Sequence, residues 1–130
     1  MKKKERYTIS ELAKEFEIST RTIRYYEEIG LLNPERTKGN QRIFSKKDRA
    51  KLKLILRGKR LGFSLEEIKE MIEMYDTAGE PEQIRLTLKY GEKKLKEIEE
   101  KIKELELLKE DIINLRNMLL KRLEELEGSS

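Results

Sequence analysis

The sequence predicts a mainly α-helical chain, a small helical head followed by one long C-terminal helix, and three observations carry that prediction. Apolar residues recur at i, i+3, i+4, i+7 through most of the 130 residues. Several helix starts are written as Ser or Thr with an acid three residues later, the pattern that satisfies backbone N–H groups left unpaired at a helix N-terminus. From Pro81 to about Glu127 the chain is rich in Leu, Ile, Lys and Glu with no further proline. The head is expected over residues 1–76 and the long helix over 81–127, with Asp76-Thr77-Ala78-Gly79-Glu80 as linker. A chain this long buries one modest core, because a domain takes on the order of 100 residues.

The first helix opens at Thr8-Ile9-Ser10-Glu11, a capping box, and runs to about Glu17 with Ile9, Leu12, Ala13 and Phe16 on one face. The second begins at Ser19 or Thr20, carries Thr20-Arg21-Thr22-Ile23-Arg24-Tyr25-Tyr26-Glu27-Glu28-Ile29 and ends at Gly30. Two short helices separated by about four residues, the second studded with Arg, Thr and Tyr, match a helix-turn-helix, in which the second helix enters the major groove. A plain helical hairpin fits the same spacing.

The next segment, residues 31–44, has Asn33-Pro34 at one end, Lys38-Gly39-Asn40 near its middle and short apolar runs on both sides, which predicts a β-hairpin with a basic tip. Beside a helix-turn-helix such a hairpin is a wing, setting Arg36, Lys38 and Arg42 against a phosphate backbone. Ser45-Lys46-Lys47-Asp48 caps a third helix to about Leu61, with Leu52, Ile55 and Leu56 inward and Lys51, Lys53, Arg57, Lys59 and Arg60 outward; Gly62 stops it. Ser64-Leu65-Glu66-Glu67 opens a fourth, striped by Leu65, Ile68, Met71, Ile72 and Tyr75.

Pro81 suits the first turn of the last helix, which at ~1.5 Å per residue reaches ~70 Å. Leu88, Leu95, Ile98, Ile102 and Leu105 keep a seven-residue rhythm broken at Gly91, and the row then slips by three residues to Leu108, Ile112, Leu115 and Leu119. A stripe this long needs a partner, and pairing with a second copy, parallel or antiparallel, is the economical solution. A helix folded back on the head, or a hairpin broken near Asn114 or Asn117, is the alternative. Gly128-Ser129-Ser130 reads as a frayed end.

Charge is divided along the chain. Residues 1–62 hold 18 basic against 8 acidic side chains, a net of +10, whereas residues 63–130 hold 12 against 18, a net of −6. The basic half offers a footprint for a polyanion and the acidic half repels one. With no cysteine and no histidine there is no disulfide, no thiolate or imidazole zinc site and no Ser-His or Cys-His relay. An enzyme is therefore disfavoured and no cofactor is predicted. The run Met1-Lys2-Lys3-Lys4-Glu5 has no apolar core and no stretch approaches the ~18 apolar residues of a membrane span, so a cytoplasmic protein is expected. The 19 Lys and 23 Glu against 2 Gln and 4 Asn follow the bias of proteins from hot habitats.

Taken together, Tyr7-Thr8-Ile9-Ser10-Glu11-Leu12-Ala13, Ser19-Thr20-Arg21-Thr22-Ile23-Arg24-Tyr25-Tyr26-Glu27, Gly30-Leu31-Leu32, Arg42 and Leu61-Gly62-Phe63-Ser64-Leu65-Glu66-Glu67-Ile68 resemble the MerR family of bacterial transcription regulators. Residues 53–65 and 74–76 look most like its branch controlling branched-chain amino-acid and short-chain acyl-CoA breakdown. The resemblance implies a homodimer whose long helices form an antiparallel coiled coil, with two winged heads on a near-palindromic operator in double-stranded DNA. It implies bending and untwisting of a promoter so that RNA polymerase engages, a specificity carried partly by DNA deformability.

Carried residue by residue, Arg21, Arg24 and Tyr25 match recognition-helix positions and Arg42 the wing arginine, with Thr20 and Thr22 as helix-start contacts. One of Tyr25 and Tyr26 is expected to reach phosphate and the other to pack, since neighbours on a helix point about 100° apart. Lys59 and Arg60 fit phosphate contacts. Where family wings read Gly-Tyr-Arg-x-Tyr, this chain has Asn40-Gln41-Arg42-Ile43-Phe44, without the tyrosine hydroxyls. The cysteines with which metal and redox members hold their effectors are absent, which excludes thiolate-based sensing of soft metals. A ligand cleft around Phe63, Met71, Met74, Tyr75, Arg85 and Tyr90 suits an acyl chain with an anionic head, although the same residues serve equally as the core joining head to coil. A second function class, a coiled-coil module whose head docks on another protein, leaves the +10 head unexplained.

Overall fold

The computed structural model describes residues 5–128; Met1–Lys4 and the Ser129–Ser130 part of the expected frayed end lie outside the described residues. Two compact units divide between Thr87 and Leu88. The first holds β1 (Arg6–Tyr7), α1 (Ile9–Phe16), α2 (Thr20–Glu28), β2 (Glu35–Arg36), β3 (Arg42–Ser45), α3 (Lys46–Arg60) and α4 (Leu65–Ala78), together with the start of α5 (Glu80–Glu127).

Hydroxyl caps set the beginnings of the four head helices. The Thr8 hydroxyl accepts the Glu11 N–H at 3.1 Å while the Glu11 carboxylate accepts the Thr8 N–H at 3.0 Å. Ser64 and Glu67 repeat the arrangement on α4, and Ser19 caps α2 by accepting from Thr22 N–H at 3.0 Å. Ser45 and Asp48 form the box on α3, where Asp48 is also buried and accepts the Asn33 N–H at 3.4 Å, so one carboxylate caps a helix and ties down the entry to the wing. Gly30 and Gly62 follow α2 and α3 at φ +83°, a backbone that favours glycine.

The three strands form an antiparallel sheet in the order β1-β3-β2, with Tyr7 opposite Phe44, Glu35 opposite Ile43 and Arg36 opposite Arg42. The predicted wing is β2 and β3; β1 is an addition from the chain's start, which seats Tyr7 against the core. That core is Leu12, Ile23, Tyr26, Leu31, Leu32, Phe44, Leu52, Ile55, Ile68 and Ile72. Its amphipathic spacing on each helix is what the sequence pattern specifies. A closer packing point lies between α3 and α4, where a Cβ placed on Gly58 would stand 2.8 Å from Cγ1 of Ile68.

Three expectations need correction. Lys51 is buried rather than outward, because its Nζ reaches Asp76 at 2.8 Å, and Lys47 holds the other oxygen of that carboxylate at 2.9 Å. Burial pushes the Asp76 carboxyl up, but the hydrogen bonds from Lys51 and Lys47 outweigh it and hold the group below the ordinary carboxylate range. Leu65, placed on the inner stripe of α4, is exposed as the first residue of that helix, before the stripe of Ile68, Met71 and Ile72 is buried. The linker is Gly79 alone (φ +87°), since α4 continues through Asp76 to Ala78 and α5 starts at Glu80, one residue before Pro81.

Beyond Thr87, α5 is one unbroken helix through Asn114 and Asn117, so the hairpin alternative falls. Among the described residues from 88 to 128 none is buried. The seam residues Leu88, Leu95, Ile98, Ile102, Leu105, Leu108, Ile112, Leu115 and Leu119 are each 45–63% exposed. No helix among the described residues is long and apolar enough to cross a membrane.

Candidate nucleic-acid interface

The helical period sorts α2 into two faces. Ile23 and Tyr26 point into the core, leaving Arg21, Arg24, Tyr25 and Glu28, spaced i, i+3, i+4, i+7, as an exposed row. Tyr26 is 3% exposed, so it is a packing residue and not a DNA contact, and burial pushes its hydroxyl pKa up. Tyr25 is 45% exposed, its ring 5.9 Å from that of Tyr26. Arg21 and Arg24 have no acidic partner among the described residues. Thr20 and Thr22 are half-buried at the helix start, the Thr22 hydroxyl 2.9 Å from that of Ser19.

The wing arginines are not free cations. Both are held by Glu27, a residue of the second helix that the sequence pattern gave no reason to single out. Arg42 donates from Nε to Oε2 at 2.5 Å, and Arg36 donates from one Nη to Oε1 at 3.1 Å and from the other to the Asn40 carbonyl at 3.1 Å. Lys38 stays exposed at the wing tip next to Asn40, whose φ of 64° turns the hairpin. Between α1 and this tip lies a notch of about 390 Å³ lined by Thr8, Ile9, Ser10, Asn40, Gln41 and Arg42. The start of α1 and Arg42 thus line one concavity, where a helix N-terminus and a cation together suit an anionic oxygen.

Lys59 and Arg60 are exposed at the end of α3. Arg60 shares a depression of about 410 Å³ with Phe16, Ile18, Lys53, Leu56 and Arg57, which places Arg57, outside the predicted set, beside the turn into α2. The candidate cleft residues do not share one environment. Met71 is buried, Phe63 packs against the core cluster, Met74 and Tyr75 are half-buried with Lys47 Nζ 5.8 Å from the Tyr75 ring, and Arg85 is paired with Glu82. Tyr90 belongs to the second unit.

Behind the interface, Arg49 fixes α3 to α1. Its guanidinium grips Glu15 through Nε at 2.9–3.0 Å and through an Nη group, and lies 5.8 Å from the Tyr7 ring and 5.7 Å from the Phe16 ring. The hydrogen bond from Arg49 holds Glu15 below the ordinary carboxylate range.

Residues 7–75 match the family described as MerR HTH family regulatory protein, and residues 49–115 match the one described as MerR, DNA binding. The chain is 35% identical over 114 residues to the HTH-type transcriptional regulator ZntR of Escherichia coli K12, covering 85% of this chain and 79% of that protein. It is 34% identical over 128 residues to the HTH-type transcriptional regulator YfmP of Bacillus subtilis, covering 94% and 91%. Among solved structures, HiNmlR, a MerR family regulator lacking the sensor domain and bound to promoter DNA, superposes with a TM-score of 0.59 at 32% identity over 78% of this chain and 76% of that one.

Proposed function

Because this chain belongs to the MerR family of helix-turn-helix regulators, we propose that it acts as a sequence-specific transcription regulator, binding a near-palindromic operator as a homodimer and distorting promoter DNA. The observation that carries this reading is the exposed row Arg21, Arg24, Tyr25 on α2, unpaired by any acid of the head and flanked by the cationic wing. Arg is suited to bidentate readout of guanine edges, and Tyr25 to a phosphate hydrogen bond. Residues 1–76 supply the DNA-binding head, and residues 81–127 the dimerisation helix, whose seam pairs antiparallel with that of a second copy. Lys38, Lys59 and Arg60 serve as phosphate contacts. RNA polymerase is the partner that engages the distorted promoter, and deformation of the DNA supplies part of the specificity. Residues 53–65 are the stretch that supports the acyl-CoA and branched-chain branch.

Selection from a random duplex pool at two salt concentrations tests the reading. An inverted repeat bound with salt-dependent affinity is expected; enrichment of no sequence sinks it and favours the protein-docking module. Arg24→Ala is expected to cost operator affinity about 10- to 100-fold with the head's melting temperature unchanged. If that variant unfolds instead, Arg24 is structural.

A further inference from the structure

The cross-strand pairing of the wing creates an electrostatic problem that the recognition helix answers. Arg36 and Arg42 are register partners, and like charges directly opposite on a sheet repel. Glu27 sits against both, one oxygen to each guanidinium, and its side chain is 21% exposed, so the exchange is only partly screened by water. The two arginines end in different states. Arg36 spends both Nη groups, one on Glu27 and one on the Asn40 carbonyl, so it braces the wing tip. Arg42 is held by Nε alone, has no other partner among the described residues, and lines the notch beside Thr8 and Ser10.

We infer that Glu27 is a positioning residue for DNA recognition: it anchors the Arg42 guanidinium by one edge so that its free Nη groups face a backbone phosphate in the notch, while Arg36 is a brace. The inference rests on the DNA-binding reading above and assigns it a residue that never touches DNA. An acid on a DNA-facing helix would by charge alone weaken binding at every sequence. As a positioning group it does the opposite at the operator, where the wing must meet one phosphate in register with the base contacts of α2.

The test measures wild type and Glu27→Gln on an operator duplex and on a duplex of scrambled sequence. The wild type's preference for the operator is the control for the DNA reading itself; without that preference the reading fails before Glu27 is at issue. With it, Glu27→Gln is expected to lose about tenfold in operator affinity while scrambled-duplex affinity holds or rises, so the selectivity ratio falls. Removing the charge of the wing-facing phosphate with a methylphosphonate should weaken wild type and leave the variant nearly unaffected. Equal tightening on both duplexes, or no change on either, overturns the inference and makes Glu27 a plain counter-charge. Should Glu27→Gln fail to fold, Arg42→Lys keeps the charge and removes the anchored fork: the same loss of selectivity is expected, and unchanged selectivity overturns the inference.

Discussion

The head and the part of α5 beyond Thr87 use the same alphabet of Leu, Ile, Lys and Glu and meet opposite fates. In the head Leu12, Ile23, Phe44, Leu52 and Ile55 are sealed from solvent by one another, whereas Leu88 and Leu105 on α5 are each 63% exposed. The difference lies in chain reversals. Between residues 16 and 65 the chain turns at Glu17, Gly30, Asn40 and Gly62, all at positive φ; the Asn40 turn closes the charged wing, and the other three bring successive apolar stripes together. After Gly79 no reversal occurs until the helix ends at Glu127, and the later stripe stays exposed along it. A stripe that its own chain cannot cover is an instruction for association.

The comparison can be broken most severely on the α5 side. Replacing Ile112 and Leu115 with Glu is expected to give a monomer in sedimentation and to cost at least about 100-fold in operator affinity, because two linked heads bind far better than one. A dimer that survives the double change would place the pairing surface elsewhere. On the head side, Gly58→Ala forces a methyl against Ile68 and is expected to destabilise by about 1–3 kcal/mol, read as a lowered melting temperature. An unchanged melt would mean that α4 yields there without cost.

Acid sharpens the contrast further. Asp76 and Glu15 hold their carboxyls below the ordinary range in the folded head, so the stability they contribute is present above the unfolded values near pH 4 and is lost as pH falls through the lower folded ones. Urea titrations between pH 6 and 3 should show the head weakening, with a shallower slope in Asp76→Asn; identical slopes would remove Asp76 from the account. The smallest effect is expected from Thr8→Ala, about 1 kcal/mol for a lost cap, in the same melt. A loss below the error of the melt would mean that Glu11 and water replace the hydroxyl.

What was legible in the sequence follows the range of the interactions. Capping boxes, the wing and the long helix depend on residues three to eight apart, and each stands where the pattern places it. β1 was missed because two residues pair with Phe44 and Ser45 across most of the head, and no local signal marks them. Lys51 was misplaced for the same reason: its period says solvent, while an acid 25 residues later draws it in. Of the interface, the row Arg21, Arg24, Tyr25 is a period and could be read. Glu27, which joins the second helix to the hairpin, is a relation between elements, and nothing local sets it apart from its exposed neighbour Glu28. Tyr26 was the half of an aromatic pair that only packing could assign.

The hydroxyl caps on α1 to α4 have a consequence for a cell whose internal ion content rises. Attraction to a polyanion at a distance fades as ions accumulate, but a hydrogen bond of about 3 Å between a Ser or Thr oxygen and an amide scarcely feels them. The grip on DNA and these helix starts therefore answer to different variables: an ionic shock is expected to loosen the protein from its site while the caps hold, the ion pairs of Asp76 and Glu15 being the part of the head that salt reaches.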